Sequence, residues 1–113
     1  NIDYKFIEAD VLNVDIEPTD LLFLDTWHTY DQVRSELKLH SDKVKKYIVF
    51  HDTTTYAYRD EPLTSEHSDK FSKISGKGIW TAIDEFLKEN KNSWILEEKF
   101  ENNNGLTVIK KIN

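Results

Sequence analysis

The sequence has 113 residues, of which 32% are charged and 38% hydrophobic, and its formal net charge is −6; these values are typical of one small globular domain. The acidic balance argues against nucleic acid and anionic membranes as partners, because both bind clustered Lys and Arg, and no apolar run reaches the ~20 residues of a membrane span. The absence of cysteine excludes a disulfide framework and a thiolate metal site, and without a signal-like segment we expect a cytoplasmic protein.

The first half of the sequence predicts two strands, a helix and a third strand. Tyr4–Asp10 alternates apolar and polar residues, which predicts a short strand. Leu21–Leu24 is a continuous apolar run closed by Asp25, the pattern of a strand buried on both faces within a parallel sheet. Asp31–Val44 has its apolar residues on one helical face, and Tyr47–Phe50 repeats the buried-strand pattern. Strand, helix and strand in this order form a parallel crossover unit, which binds ligands at the carboxyl edge of its sheet.

The second half predicts a loop, a helix and a hairpin. Thr53–Gly78 is polar and lacks periodicity, which indicates a long loop or lid. Ile79–Lys88 has one apolar face and predicts an amphipathic helix. Trp94–Phe100 and Leu106–Ile112 are strand-like, and the Asn-rich and Gly-containing segment Glu101–Gly105 predicts a turn between them. We therefore expect an α/β sheet that ends in an antiparallel hairpin.

Polar residues follow both buried strands of the predicted crossover unit. Asp25 and His28 come after the first of these strands, and His51 and Asp52 come after the second. Because adjacent strands lie about 4.8 Å apart, these side chains can converge on one metal ion. The structural alternative is that the aspartates are turn formers or caps and that His28 is a hydrogen-bonded structural residue.

Three segments of the sequence resemble motifs of the metal-dependent class I methyltransferases. Leu22–Tyr30, Ile48–Thr53 and Asn102–Val108 are similar to the fourth-strand, fifth-strand and last-hairpin motifs of that family, and Tyr4–Asp10 matches its third strand. The similarity covers nearly the whole chain and is greatest to the cephalosporin-hydroxylase-like and macrolide sugar O-methyltransferase group. It implies a Rossmann-like sheet whose strands lie in the order fourth, fifth, seventh, sixth.

The resemblance also implies a set of site residues for methyl transfer from S-adenosylmethionine to a hydroxyl of a sugar or another small molecule. Magnesium, or secondarily manganese, is expected at Asp25, His51 and Asp52, with His51 at a position where the family has a carboxylate. His28 has the spacing of the general base, three residues after Asp25. Asp10 and Trp27 are the expected contacts to the cofactor.

One motif of the family is absent from this sequence, namely the glycine-rich turn that binds the cofactor. The glycines are Gly76, Gly78 and Gly105, and none lies between an N-terminal strand and a helix. We therefore expect residues 1–113 to be a partial methyltransferase domain, from the third to the last strand, that is inactive alone. The exposed edge of the Leu21–Leu24 strand would favour a homo-oligomer.

Two other functions are compatible with the same residues. The first alternative is a non-catalytic metal-binding or oligomerisation module. The second is a non-haem iron site for oxygen chemistry, formed by the histidines and a carboxylate. We rank the iron site last, because the α/β pattern and the methyltransferase resemblance explain more of the chain.

Overall fold

The computed structural model describes residues 15–25, 29–58, 76–102 and 105–113. The predicted strand Tyr4–Asp10 and the middle of the predicted loop Thr53–Gly78 lie outside these residues. The elements in the described ranges form a mixed α/β fold. They are β1 (Thr19–Leu24), α1 (Tyr30–His40), a short 3-10 turn (Ser41–Lys43), β2 (Val44–His51), α2 (Ile79–Glu89), β3 (Trp94–Phe100) and β4 (Leu106–Lys111).

The four described strands form one sheet in the order β1-β2-β4-β3. β1 and β2 are parallel, while β4 pairs antiparallel with both β2 and β3. This is the order that the resemblance implied for the fourth, fifth, seventh and sixth strands. The predicted C-terminal hairpin is confirmed, and it places β4 beside β2 rather than at the edge of the described sheet.

Both helices pack against the same face of the sheet. Val33 and Leu37 of α1 and Ile83 and Phe86 of α2 are buried in one core cluster with Ile48 of β2. Apolar burial of this kind is the main stabilising term of a small domain. The central strand β2 therefore packs against the core and pairs with a strand on each side. These contacts hold the residues at its carboxyl end in fixed positions.

Helix α1 is shorter than the sequence predicted. The helix begins after Thr29, whose hydroxyl accepts a hydrogen bond from the Gln32 N–H, and it ends at His40. Val44 was predicted to be helical, but it is the fully buried first residue of β2. Val44 lies seven residues after Leu37, a spacing that fits two helical turns. This periodicity does not reveal the 3-10 turn that lies between Leu37 and Val44 and changes the direction of the chain.

Strand β1 differs from its prediction in burial. Leu24 is buried, but Leu21 and Phe23 are 51% and 53% exposed, so the expectation of burial on both faces was wrong. β1 lies at an edge of the described sheet, and both described helices cover the sheet face opposite to the one on which Leu21 and Phe23 lie. Neither helix in the described ranges is long and apolar enough to cross a membrane.

Helices α1 and α2 are joined by two polar pairs with the same sequence separation. Tyr30 donates a hydrogen bond to the Glu85 carboxylate, and one turn later Arg34 donates two hydrogen bonds to the Glu89 carboxylate. Steps of four residues on both helices place these pairs on facing sides. The two helices therefore run in the same direction with a fixed longitudinal register.

Candidate metal centre

The carboxyl ends of β1 and β2 lie side by side at one edge of the sheet. Leu24 and Phe50 are register partners in this parallel pair, and each is followed by a polar residue, Asp25 or His51. Asp52 comes next along the chain, just past the end of β2. The crossover unit thus brings together the three residues that the sequence analysis singled out as metal ligands.

The side chains of these three residues converge. His51 Nδ1 lies 3.4 Å from Asp25 Oδ1 and 3.1 Å from Asp52 Oδ2, and one ligand atom from each residue lies within 4.8 Å of the others. The Asp25 side chain is 47% exposed and that of Asp52 only 14%. The cluster therefore has an open side at Asp25 and a closed side at Asp52.

The donor set fits a divalent cation. His51 Nδ1 is buried and makes no hydrogen bond, although two carboxylate oxygens face it. Adjacent ligand atoms bound to one ion at about 2.1 Å lie about 3 Å apart, which is close to the separations seen here. Magnesium prefers oxygen ligands, whereas manganese, iron and zinc also accept an imidazole nitrogen. The imidazole of His51 thus broadens the range of metals that these residues can hold.

The turn after β2 is held by the hairpin of β3 and β4. The Asp52 N–H donates to the Gly105 carbonyl over 2.9 Å, and the Thr107 hydroxyl donates to the Thr53 hydroxyl over 2.8 Å. Gly105 packs so closely that a Cβ there would lie 2.4 Å from the Thr54 nitrogen. Thr53, Thr54 and Thr107 were not predicted to support the site, and Gly105 was predicted only as part of a turn, although Thr107 and Gly105 both lie in the Asn102–Val108 motif.

The same turn also contacts the start of α2. The N–H groups of Ile79 and Trp80 donate to the carbonyls of Tyr56 and Ala57 over 2.8 and 3.0 Å. These bonds satisfy amides that have no partner within the helix. The segment that follows Asp52 is consequently fixed at both of its ends.

One comparison with known proteins identifies a family for this chain. Residues 5–112 match the model of the family described as rhamnosyl O-methyltransferase/CmcI. The chain belongs to this family. The methyltransferase resemblance drawn from the three sequence motifs is thereby confirmed. No curated protein and no solved structure gave a match.

Three predicted site residues fall within the family match but outside the described residues. His28 was expected to be the general base, and Asp10 and Trp27 were expected to contact the cofactor. Their roles stay predictions. Asp25, His51 and Asp52 are the members of the predicted set whose positions are described, and their side chains converge.

Proposed function

We propose that this chain is the metal- and acceptor-binding part of an S-adenosylmethionine-dependent O-methyltransferase with a Rossmann-like sheet. The observation that carries the proposal is the convergence of Asp25, His51 and Asp52 at the carboxyl edge of parallel strands, in a member of an O-methyltransferase family. The description of that family as rhamnosyl O-methyltransferase supports a hydroxyl of a sugar as the methyl acceptor.

The proposed division of roles follows the family motifs that these residues match in the sequence. Asp25, His51 and Asp52 would hold a divalent cation, which would supply Lewis-acid polarisation of the acceptor hydroxyl. His28 removes the hydroxyl proton while the oxygen forms a bond to the methyl carbon and the sulfur–methyl bond of S-adenosylmethionine breaks. S-adenosylhomocysteine and the methyl ether are the products. Asp10 and Trp27 contribute to the binding of the nucleoside.

The proposal includes an incomplete cofactor site. The glycine-rich turn that binds the cofactor in such sheets is missing from the 113 residues, because the three glycines occupy other kinds of position. Residues 1–113 are therefore proposed to be a partial domain that binds the metal but does not transfer methyl groups alone. An assay with radiolabelled S-adenosylmethionine and a panel of deoxysugar acceptors tests this part, since turnover by this chain would overturn it.

Metal binding is the first measurement. We expect the chain to bind one manganese ion, followed by electron paramagnetic resonance or calorimetry, and to lose this binding in Asp25→Asn and Asp52→Asn. Asp20→Asn is the matched control, because Asp20 lies near the start of β1, the strand that Asp25 follows, and pairs with Lys46 there. Absence of manganese and magnesium binding by the unmodified chain, or unaltered binding by both site variants, would contradict the proposal.

A second candidate function is a non-catalytic module that acts by self-association. The observation that favours it is the exposure of Leu21 and Phe23, at 51% and 53%, on a strand at the edge of the described sheet. Strand edges and exposed apolar side chains invite pairing with another chain. Under this alternative the chain forms a homo-oligomer whether or not a metal is bound.

A further inference from the structure

The backbone at Asp52 has an unusual conformation for a residue with a side chain. Its φ is +59°, and among the residues that the structure describes it is the one non-glycine residue with a positive φ. L-amino acids avoid this left-handed region because the Cβ approaches the carbonyl oxygen, although aspartate tolerates it better than most. Such a conformation persists when surrounding contacts impose it.

The contacts that impose it come from the beginning of β4. The Gly105 carbonyl accepts the Asp52 N–H over 2.9 Å, and two residues later the Thr107 hydroxyl donates to Thr53 over 2.8 Å. Thr53 and Thr107 are both fully buried. A hydrogen bond between two buried hydroxyls is sensitive to the loss of either partner, because the remaining group keeps its desolvation cost. Asp52 is thus held by the hydrogen bond of its own N–H to Gly105, and the next residue, Thr53, is held by its hydrogen bond to Thr107.

The register of the sheet shows why Thr107 is suited to this task. Thr107 is the cross-strand partner of Phe50, and Leu106 is the partner of His51. Thr107 therefore lies on β4 opposite Phe50, the residue just before the candidate ligands His51 and Asp52. Asp52 follows the last register pair of β2 and β4, so it lies in the turn that Gly105 and Thr107 contact.

We propose that Thr107 is a positioning residue for the metal site, which sets the direction of the Asp52 carboxylate through its hydrogen bond to Thr53. This inference rests on the proposed metal-binding function. Without the hydroxyl pair, Thr53 loses its side-chain bond to β4, and the Asp52 oxygen is expected to shift from its position 3.1 Å from His51 Nδ1, while the Tyr56 N–H still binds the Asp52 carbonyl. Residues that orient ligands from behind commonly govern metal affinity in this way.

The test compares manganese affinity in Thr107→Val, which keeps the shape but removes the hydroxyl, with Thr107→Ser, which keeps the hydroxyl. We expect Thr107→Val to weaken manganese binding by up to about tenfold, the lower end of the range for groups that hydrogen-bond metal ligands directly, because Thr107 acts through Thr53, and we expect Thr107→Ser to stay close to the unmodified chain. Ile109→Val, a change to another buried residue of β4, is the control for a general loss of stability. A changed manganese resonance spectrum in Thr107→Val would show an altered ligand geometry.

Each outcome of this comparison has a definite meaning. Equal manganese affinity in Thr107→Val and the unmodified chain would overturn the positioning role but leave the metal site in place. Equal weakening in Thr107→Val and Ile109→Val would also overturn it. Absence of manganese binding by the unmodified chain would instead refute the proposed function. If Thr107→Val does not fold, Thr53→Val removes the same hydrogen bond from the other side and is judged by the same criteria.

Discussion

Asp52 combines a strained backbone with a proposed ligand role in a single residue. Its carboxylate lies 3.1 Å from His51 Nδ1, while its φ of +59° belongs to the region that glycine occupies most readily. A residue that served only to make the turn would be better as glycine. The presence of a carboxylate at a position with this conformational cost fits a role in binding.

This reasoning gives a prediction for Asp52→Gly. We expect the variant to lose manganese binding while its free energy of unfolding stays level or rises by up to about 1 kcal/mol, because left-handed strain is relieved. Asp52→Asn, which tolerates the same φ but lacks the charge, should lose the metal without gaining stability. Urea unfolding with and without manganese measures both quantities, and a clearly destabilised Asp52→Gly would contradict the prediction.

Gly105 and Gly76 offer a matched pair for the cost of close packing. Both have positive φ, at +97° and +78°, but a Cβ on Gly105 would meet Thr54 at 2.4 Å, whereas one on Gly76 would have nothing within 4 Å. We expect Gly76→Ala to cost about 1 kcal/mol of stability from backbone strain alone. Gly105→Ala should cost at least about 2 kcal/mol more, because the clash is with backbone. Equal unfolding midpoints for the two variants would show that the turn yields easily.

At the scale of elements, α1 and α2 are coupled by the Tyr30–Glu85 and Arg34–Glu89 pairs. The hydrogen bond to the Glu85 carboxylate, followed by burial, raises the pKa of Tyr30 above its ordinary value of 10.0. The folded state thus favours the neutral phenol. The stabilisation is fully present below pH 10.0 and is lost as the pH rises through the higher pKa of the folded state.

Thermal unfolding as a function of pH tests this coupling. We expect Tyr30→Phe to lower stability at neutral pH by about 1 kcal/mol, or about 4–8 °C in a domain of this size. The difference from the unmodified chain should shrink above pH 10.0, where the unmodified chain loses the same bond. Lys88→Gln removes an exposed pair with Asp84 and should have no measurable effect. A constant difference at all pH values would contradict the assignment.

The elements also show what the sequence could and could not predict. Strand ends and the hairpin were predictable, because apolar runs closed by Asp25 or His51 and an Asn-rich turn are local signals. The end of α1 was not, because the spacing of Val44 suits either a helix or a buried strand. The contact between Thr53 and Thr107 was also beyond reach, since these partners are 54 positions apart and are brought together only by the sheet order β1-β2-β4-β3.

At the scale of the whole molecule, the sheet has two unlike faces. The described helices cover one face, and on the other Phe23 and Leu21 of β1 and Ile95 and Phe100 of β3 are between 41% and 53% exposed. Sheets with parallel strands are normally covered on both sides. This distribution of exposed apolar groups supports the proposed self-association of the chain.

A prediction for self-association follows from Phe23. We expect the unmodified chain to form dimers or larger assemblies as concentration rises, and Phe23→Lys to shift this equilibrium towards monomer by about tenfold or more. Leu39→Lys is the matched control, because Leu39 is similarly exposed at 45% but lies on α1. Sedimentation velocity measures both variants. Monomer at every concentration, or equal effects of the two lysines, would count against the proposal.

The placement of the candidate ligands on unequal strands has a consequence for local opening of the fold. Asp25 follows an edge strand with one described neighbour, whereas His51 belongs to β2, which is paired on both sides. Edge strands open more readily than central ones, so amide protons of β1 should exchange with solvent faster than those of β2. A cation bound at both strand ends would link β1 to β2 and slow amide hydrogen exchange selectively in β1. The metal would then contribute to the integrity of the sheet as well as to the chemistry at its edge.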